Sequence, residues 1–113
     1  MAAVLLPRPR FVAAVVGRIA WLGEHRGEEQ LEHFLSGLDS VRKRIEQRPE
    51  AGPPLKWSET HVLRMRLFPR PLPYLVYYSH ALTKPVTEVY LVRLYGSGQR
   101  HEDFDMSEWP WRP

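Results

Sequence analysis

Most of the cations in this chain are arginines. Lysine occurs only at positions 43, 56 and 84 of the 113 residues, so the net charge of +3 rests on guanidinium groups. These are planar, weakly hydrated and bind phosphate or carboxylate through paired hydrogen bonds. A small basic domain of this kind points to RNA, DNA or an acidic protein partner, the alternative being a solvated surface with a mild surplus of charge. Arg64 and Arg66 alternate with Leu63, Met65 and Leu67 and so share one strand face, while Arg93 shares a face with Tyr95. Whether those two faces coincide depends on register, which alternation alone does not set. On an exposed face, Arg64 and Arg66 would serve solubility alone. The histidines at 25, 33, 61, 80 and 101 lack metal-ligand spacing and there is no cysteine, so neither a metal nor a disulfide is expected. Gly96-Ser97-Gly98 has no lysine or helix after it and is not a phosphate loop.

The elements that must position these groups are legible from periodicity. Residues 2–6 can form a short strand. From Phe11 the period turns helical, with Phe11, Val12, Val15, Val16, Ile19 and Leu22 on one stripe and Arg18 off it. Gly23 and Gly27 mark the end of that helix and a turn. In the second helix Leu31, Phe34, Leu35, Leu38, Val41 and Ile45 recur at spacings of three and four. Its acidic residues, Glu28, Glu29 and Glu32, come first and its basic ones, Arg42, Lys43, Arg44 and Arg48, come last, in the order that suits the helix dipole. Pro49 to Pro54 reads as a rigid connector. Strands follow over His61–Phe68, Tyr74–Tyr78 and Glu88–Tyr95, where Tyr90 falls with Val92 and Leu94 as packing. Tyr77 and Tyr78 point to opposite faces, which puts one of them in the core.

Short loops favour antiparallel pairing, and apolar stripes need a sheet face to cover them. The expected fold is therefore α+β, an N-terminal helical hairpin packed on a small antiparallel sheet. One domain over 1–113 is expected: hairpin about 10–48, sheet about 61–95, irregular tail 99–113. A hydrophobic content of 43% with 26% charged residues is ordinary for a globular domain and excludes wholesale disorder. No apolar run approaches the roughly 20 residues of a membrane-spanning helix. Met1 to Leu6 is short and leads straight into Pro7-Arg8-Pro9-Arg10, so no signal peptide is expected and the cytoplasm is.

Over residues 10 to 101 the chain resembles the RelE/ParE toxins of type II toxin–antitoxin systems. The resemblance rests on a hairpin whose second helix exits through Arg48-Pro49-Glu50-Ala51-Gly52, then the arginine-bearing strand Leu63-Arg64-Met65-Arg66. Pro73-Tyr74-Leu75-Val76-Tyr77-Tyr78 follows, and last a hydrophobic strand leading from Val89 to a glycine and Arg100. It implies a growth-arresting, plasmid-stabilising toxin held inactive by a cognate antitoxin. Two activities occur in the family: cleavage of mRNA in the ribosome and inhibition of DNA gyrase by binding.

RNA cleavage through the 2′-hydroxyl needs a base, a cation for the phosphate and an acid for the leaving oxygen. The resemblance assigns the cations to Arg64, Arg66, Arg93 and Arg100. It also implies a tyrosine several residues beyond the last arginine, where this chain has Phe104 and Met106. His101 and Tyr95 are the nearby substitutes, and neither stands at the matching position. That departure favours the gyrase-binding kind, with Arg93, Tyr95, Arg100, Trp109 and Trp111 as candidate contacts. In that kind a His-Gly pair often ends the last strand, where this chain has Tyr95-Gly96, and Arg100 comes later. The two tryptophans of Glu108-Trp109-Pro110-Trp111 either fold back on the domain or form a contact hot spot.

Overall fold

The computed structural model describes residues 2–96. Its elements run β1 (Val4–Pro7), α1 (Pro9–His25), α2 (Glu28–Gln47), β2 (Pro54–Trp57), β3 (His61–Leu67), β4 (Leu75–Ala81) and β5 (Glu88–Tyr95). The α+β layering expected from the periodicity is what the chain adopts, and Arg93 and Tyr95 lie on the last strand as expected. The sheet is larger than the antiparallel one expected over residues 61–95, because it also takes in the short N-terminal strand and a strand from the connector. It has five strands in the order β1-β5-β4-β3-β2. β1 pairs parallel to β5, with Leu5 opposite Val89, so the sheet is mixed.

Each addition has a physical reason. β1, Val4–Pro7, is the short strand expected at residues 2–6, shifted toward Pro9 at the helix start, and what four residues cannot announce is their parallel pairing with β5. β2 begins inside the proline-rich connector and all four of its residues are exposed. Proline is tolerated at the start of an edge strand, where its missing N–H faces no partner. The turn from β2 to β3 is closed by Ser58: its hydroxyl accepts from the backbone N–H of Thr60 and of His61, and its own N–H donates to His61 O.

Proline at the first turn of α1 costs no hydrogen bond, because the N–H it lacks has no helical partner there. Phe11 and Leu22 are the buried anchors of this helix, with Ala14, Val15 and Ile19 packed beside them. The stripe is displaced from the expected one. Val16 is 60% exposed and Val12 is also open, whereas Arg18 is half-buried. The helix runs through Gly23, and it is Gly27, at φ 84°, that makes the left-handed turn into α2. On α2 the buried line is Phe34, Gly37, Val41 and Ile45. Leu35 lies outside it. A Cβ on Gly37 would meet Leu72 Cδ1 at 2.6 Å and Phe68 Cδ2 at 2.9 Å, so the absent side chain sets how closely α2 approaches the 68–72 segment. Phe34 completes that contact, with ring centroids 5.8 Å from Phe68 and 5.0 Å from Tyr74.

Both helices lie on one face of the sheet, in a core shared with Val76, Tyr78, Val89, Leu91 and Leu94. A second cluster, of Leu63, Tyr77, Val92 and Tyr95, occupies the other face. Tyr77 and Tyr78 thus do point to opposite faces, and both are buried. No helix of the described residues is long and apolar enough to cross a membrane.

The helix line carries a direct consequence. Phe34 is 1% exposed and Leu35 is 41% exposed. Phe34→Ala is expected to cost about 3–5 kcal/mol of unfolding free energy, the range for an emptied aromatic core site. Leu35→Ala should cost a small fraction of that, and urea denaturation of the two variants measures both.

Candidate functional site

Where the arginines point is decided by one irregularity in β5. Tyr77 pairs with Arg93, but the next residue, Tyr78, pairs with Leu91. Val92 is therefore an extra residue, and the alternation of the strand resets there. Val89 and Leu91 belong to the helix-side core, as does Leu94 beyond the bulge, while Tyr90, Val92 and Tyr95 belong to the other face. Leu94 thus parts from Tyr90 and Val92, contrary to strict alternation. Counting in twos from Leu91 would have sent Arg93 to the helix side. The bulge sends it, with Tyr95, to the opposite one.

Arg64 and Arg66 stay on the helix side, because Arg64 pairs with Tyr78 and Arg66 with Val76. The two arginine-bearing faces do not coincide. Nor is Arg64 a solubilising surface charge. Its Nη1 donates to Gly52 O at 2.8 Å and its Nε donates to His80 Nε2 at 3.0 Å. The guanidinium also lies over the Trp57 ring, 5.8 Å from the centroid.

That network continues downward. The Tyr78 hydroxyl donates to Pro49 O at 2.8 Å and accepts from Gly52 N–H at 3.1 Å. Burial raises the Tyr78 phenol above its ordinary value, so it stays a donor. Gly52 has no room for a side chain: a Cβ would collide with the Tyr78 hydroxyl and lie 2.5 Å from Met65 O. His80 is 2% exposed. Its Nδ1 lies 2.9 Å from Ala81 O. With Nε2 accepting from Arg64, Nδ1 must carry the single proton and donate, which makes the ring neutral. Burial, with Arg64 beside it, holds its pKa below the usual histidine value. A Glu50–Lys84 ion pair at 2.7 Å ties the same connector to the loop after β4. Lys84 holds the Glu50 carboxyl below its ordinary range.

On the opposite face Arg93 is 8% exposed and donates from Nη1 to Val92 O at 2.9 Å. The rings of Tyr77 and Tyr95 meet edge to face with centroids 5.0 Å apart. The candidate contacts Arg100, His101, Trp109 and Trp111 lie outside the described residues. Among the described residues no group of three His, Asp or Glu side chains comes together as a metal site.

Sequence reasoning misses His80 and a cluster on α1. There Arg18 lies over two rings, 5.3 Å from Trp21 and 5.6 Å from Tyr74. The available signal is the helical spacing of Arg18, Trp21 and His25, three and four residues apart. The position of Arg18 off the apolar stripe hides it.

The neutral His80 implies a pH dependence of definite sign. The unfolded chain takes up the proton near the ordinary value of 6.5, before the folded chain does. Stability then falls as pH drops through that value, because the unfolded state binds more protons. His61, also lowered by burial, acts in the same direction. Urea unfolding at pH 7.5 and pH 5.5 is expected to give a lower free energy at the acid pH. An equal or higher value there would mean that the folded state takes up protons at these rings as readily as the unfolded chain. Compared with known proteins, the chain matches no family model and no curated protein.

Proposed function

We propose that this chain is the toxin half of a toxin–antitoxin pair of the RelE/ParE kind, and that it acts by binding a target rather than by cutting RNA. The order of elements supports the first part: a helical hairpin leads into an antiparallel run of strands, β2 to β5, of which β3, β4 and β5 are the three that the resemblance implies. The separation of the arginines supports the second. Cleavage through a 2′-hydroxyl requires base, cation and acid around one phosphate. Here Arg64 and Arg66 are on one side of the sheet and Arg93 and Tyr95 are on the other. The histidine beside Arg64 is buried and committed at both ring nitrogens, out of a substrate's reach. Arginine itself stays protonated at neutral pH and shuttles protons poorly.

On this reading the target is DNA gyrase, the site of action is the cytoplasm and a cognate antitoxin neutralises the protein. The contacts proposed are Arg100, Trp109 and Trp111, while Arg93 and Tyr95, only 8% and 9% exposed, can offer a target no more than their edges. The second reading, a ribosome-dependent mRNA endonuclease, would place His101 as proton donor.

The test is induced expression with parallel readouts. Growth should arrest and be restored by an antitoxin, DNA replication should stall before translation, and purified protein should inhibit supercoiling by gyrase. Arg100→Ala should weaken that inhibition on the order of ten-fold, as removal of an interface arginine does, without abolishing it. Translation stopping within minutes, with transcripts bearing codon-phased 5′ ends, would establish the nuclease instead. Normal growth with folded protein present would remove the toxin assignment altogether.

A further inference from the structure

The α1 cluster makes a site of its own, lined by none of Arg64, Arg66 and Arg93. Trp21 is its centre. Arg18 and Arg26 lie over its ring, 5.3 and 5.2 Å from the centroid, while the His25 ring stacks on it at 4.9 Å. Tyr74, just ahead of β4, supplies the second aromatic wall for Arg18. Two clefts, of about 300 and 320 Å³, open beside this group and share Arg18, Trp21 and Tyr74 as a common partition.

Two features define what such clefts accept. First, no aspartate or glutamate lines either one, and the ion pairs among the described residues involve neither Arg18 nor Arg26. Both guanidiniums therefore retain donors for an anion. Second, the walls are flat π surfaces on two sides of one cation, with the Gln30 amide at the edge of the second cleft offering both a donor and an acceptor. An acidic peptide would use the charge alone and gain nothing from the planar faces of the stack that Arg18, Arg26 and His25 build on Trp21. A strand of unpaired nucleotides uses both, with bases on the aromatic and guanidinium planes and phosphates on the guanidinium edges. Bases within a duplex are already stacked and cannot enter.

We propose that the Arg18–Trp21–Tyr74 partition, with Arg26, is a binding site for single-stranded nucleic acid that takes consecutive nucleotides in the two adjoining clefts. It does not depend on the identity of the growth-arrest target.

The experiment is fluorescence anisotropy of end-labelled 12-nucleotide single strands, dT and U, with the full chain, alongside a duplex of the same length. The single strands are expected to bind more tightly than the duplex. Trp21→Ala should weaken them on the order of ten-fold or more, the usual effect of removing a stacking platform. Arg18→Lys keeps the charge but loses the plane, and should weaken binding as well. Replacing Arg18 and Arg26 together by alanine should reduce the slope of log affinity against log salt by about 1.4, roughly 0.7 for each phosphate no longer neutralised. Unchanged melting temperatures show that the variants are folded, and Lys43→Ala is the neutral control. The proposal is overturned if the folded parent binds no single strand. It is equally overturned if Trp21→Ala and Arg18→Lys bind as the parent does. A third overturning result is a labelled Glu/Trp-rich peptide whose binding disappears in these variants while oligonucleotide affinity is unchanged.

Discussion

The Tyr78 hydroxyl joins the connector that leaves α2 to the sheet, and much of the molecule depends on that junction. A buried phenol with no partner would be costly, as would the unpaired carbonyl of Pro49 and N–H of Gly52 beside it. Together the three satisfy one another. The consequence is positional. The chain leaving α2 is pressed onto β3 closely enough that Pro53 O accepts from Met65 N–H and β2 can pair along β3. Gly52 is the residue that permits the approach, since any side chain there would strike Tyr78. Arg64 and His80 are then held by the same loop. Low dielectric strengthens such a network when every member is satisfied and penalises it when one is removed.

The bulge at Val92 governs the other half of the polar arrangement. Adding one residue to a strand is a small change in backbone length, yet it exchanges the faces of everything beyond it. Here it keeps Leu94 in the helix-side core while directing Arg93 and Tyr95 away from Arg64 and Arg66. Guanidinium groups on one face would repel each other across a low-dielectric core. Placed on opposite faces, they form two separate electrostatic environments with separate partners.

The helices are legible because each buries one stripe and carries a strong period, whereas β4 and β5, buried on both faces, are legible as short runs of branched and aromatic residues between turns. Phe34, Val41, Ile45 and Leu22 fall where the spacing puts them. Of the edge strands, β1 is legible as a short strand but its parallel partner is not, and β2 is hidden because all of its residues are exposed. Val12, Val16 and Leu35 show the limit of reading apolarity as burial, since the contact line of a helix is set by what it meets, and a glycine at 37 meets more than a leucine at 35 does. At the candidate sites the residue types are visible but their grouping is not. Register, bulge and loop closure are properties of paired strands, and no single strand encodes them. His80 is silent because a lone histidine in an apolar run carries no spacing signal.

The parallel pairing of β1 with β5 bears on how the chain is made. Leu5 and Leu6 leave the ribosome early, yet their sheet partners, Val89 and Tyr90, are among the last of the described residues to be synthesised. The helical hairpin can form from local contacts as it emerges, whereas the sheet closes only after almost the whole described chain has been made. Contacts of such long sequence separation slow folding. Throughout that interval the first strand presents an apolar edge with its backbone groups unpaired, which is the kind of segment that a chaperone, or a partner translated alongside it, is built to hold.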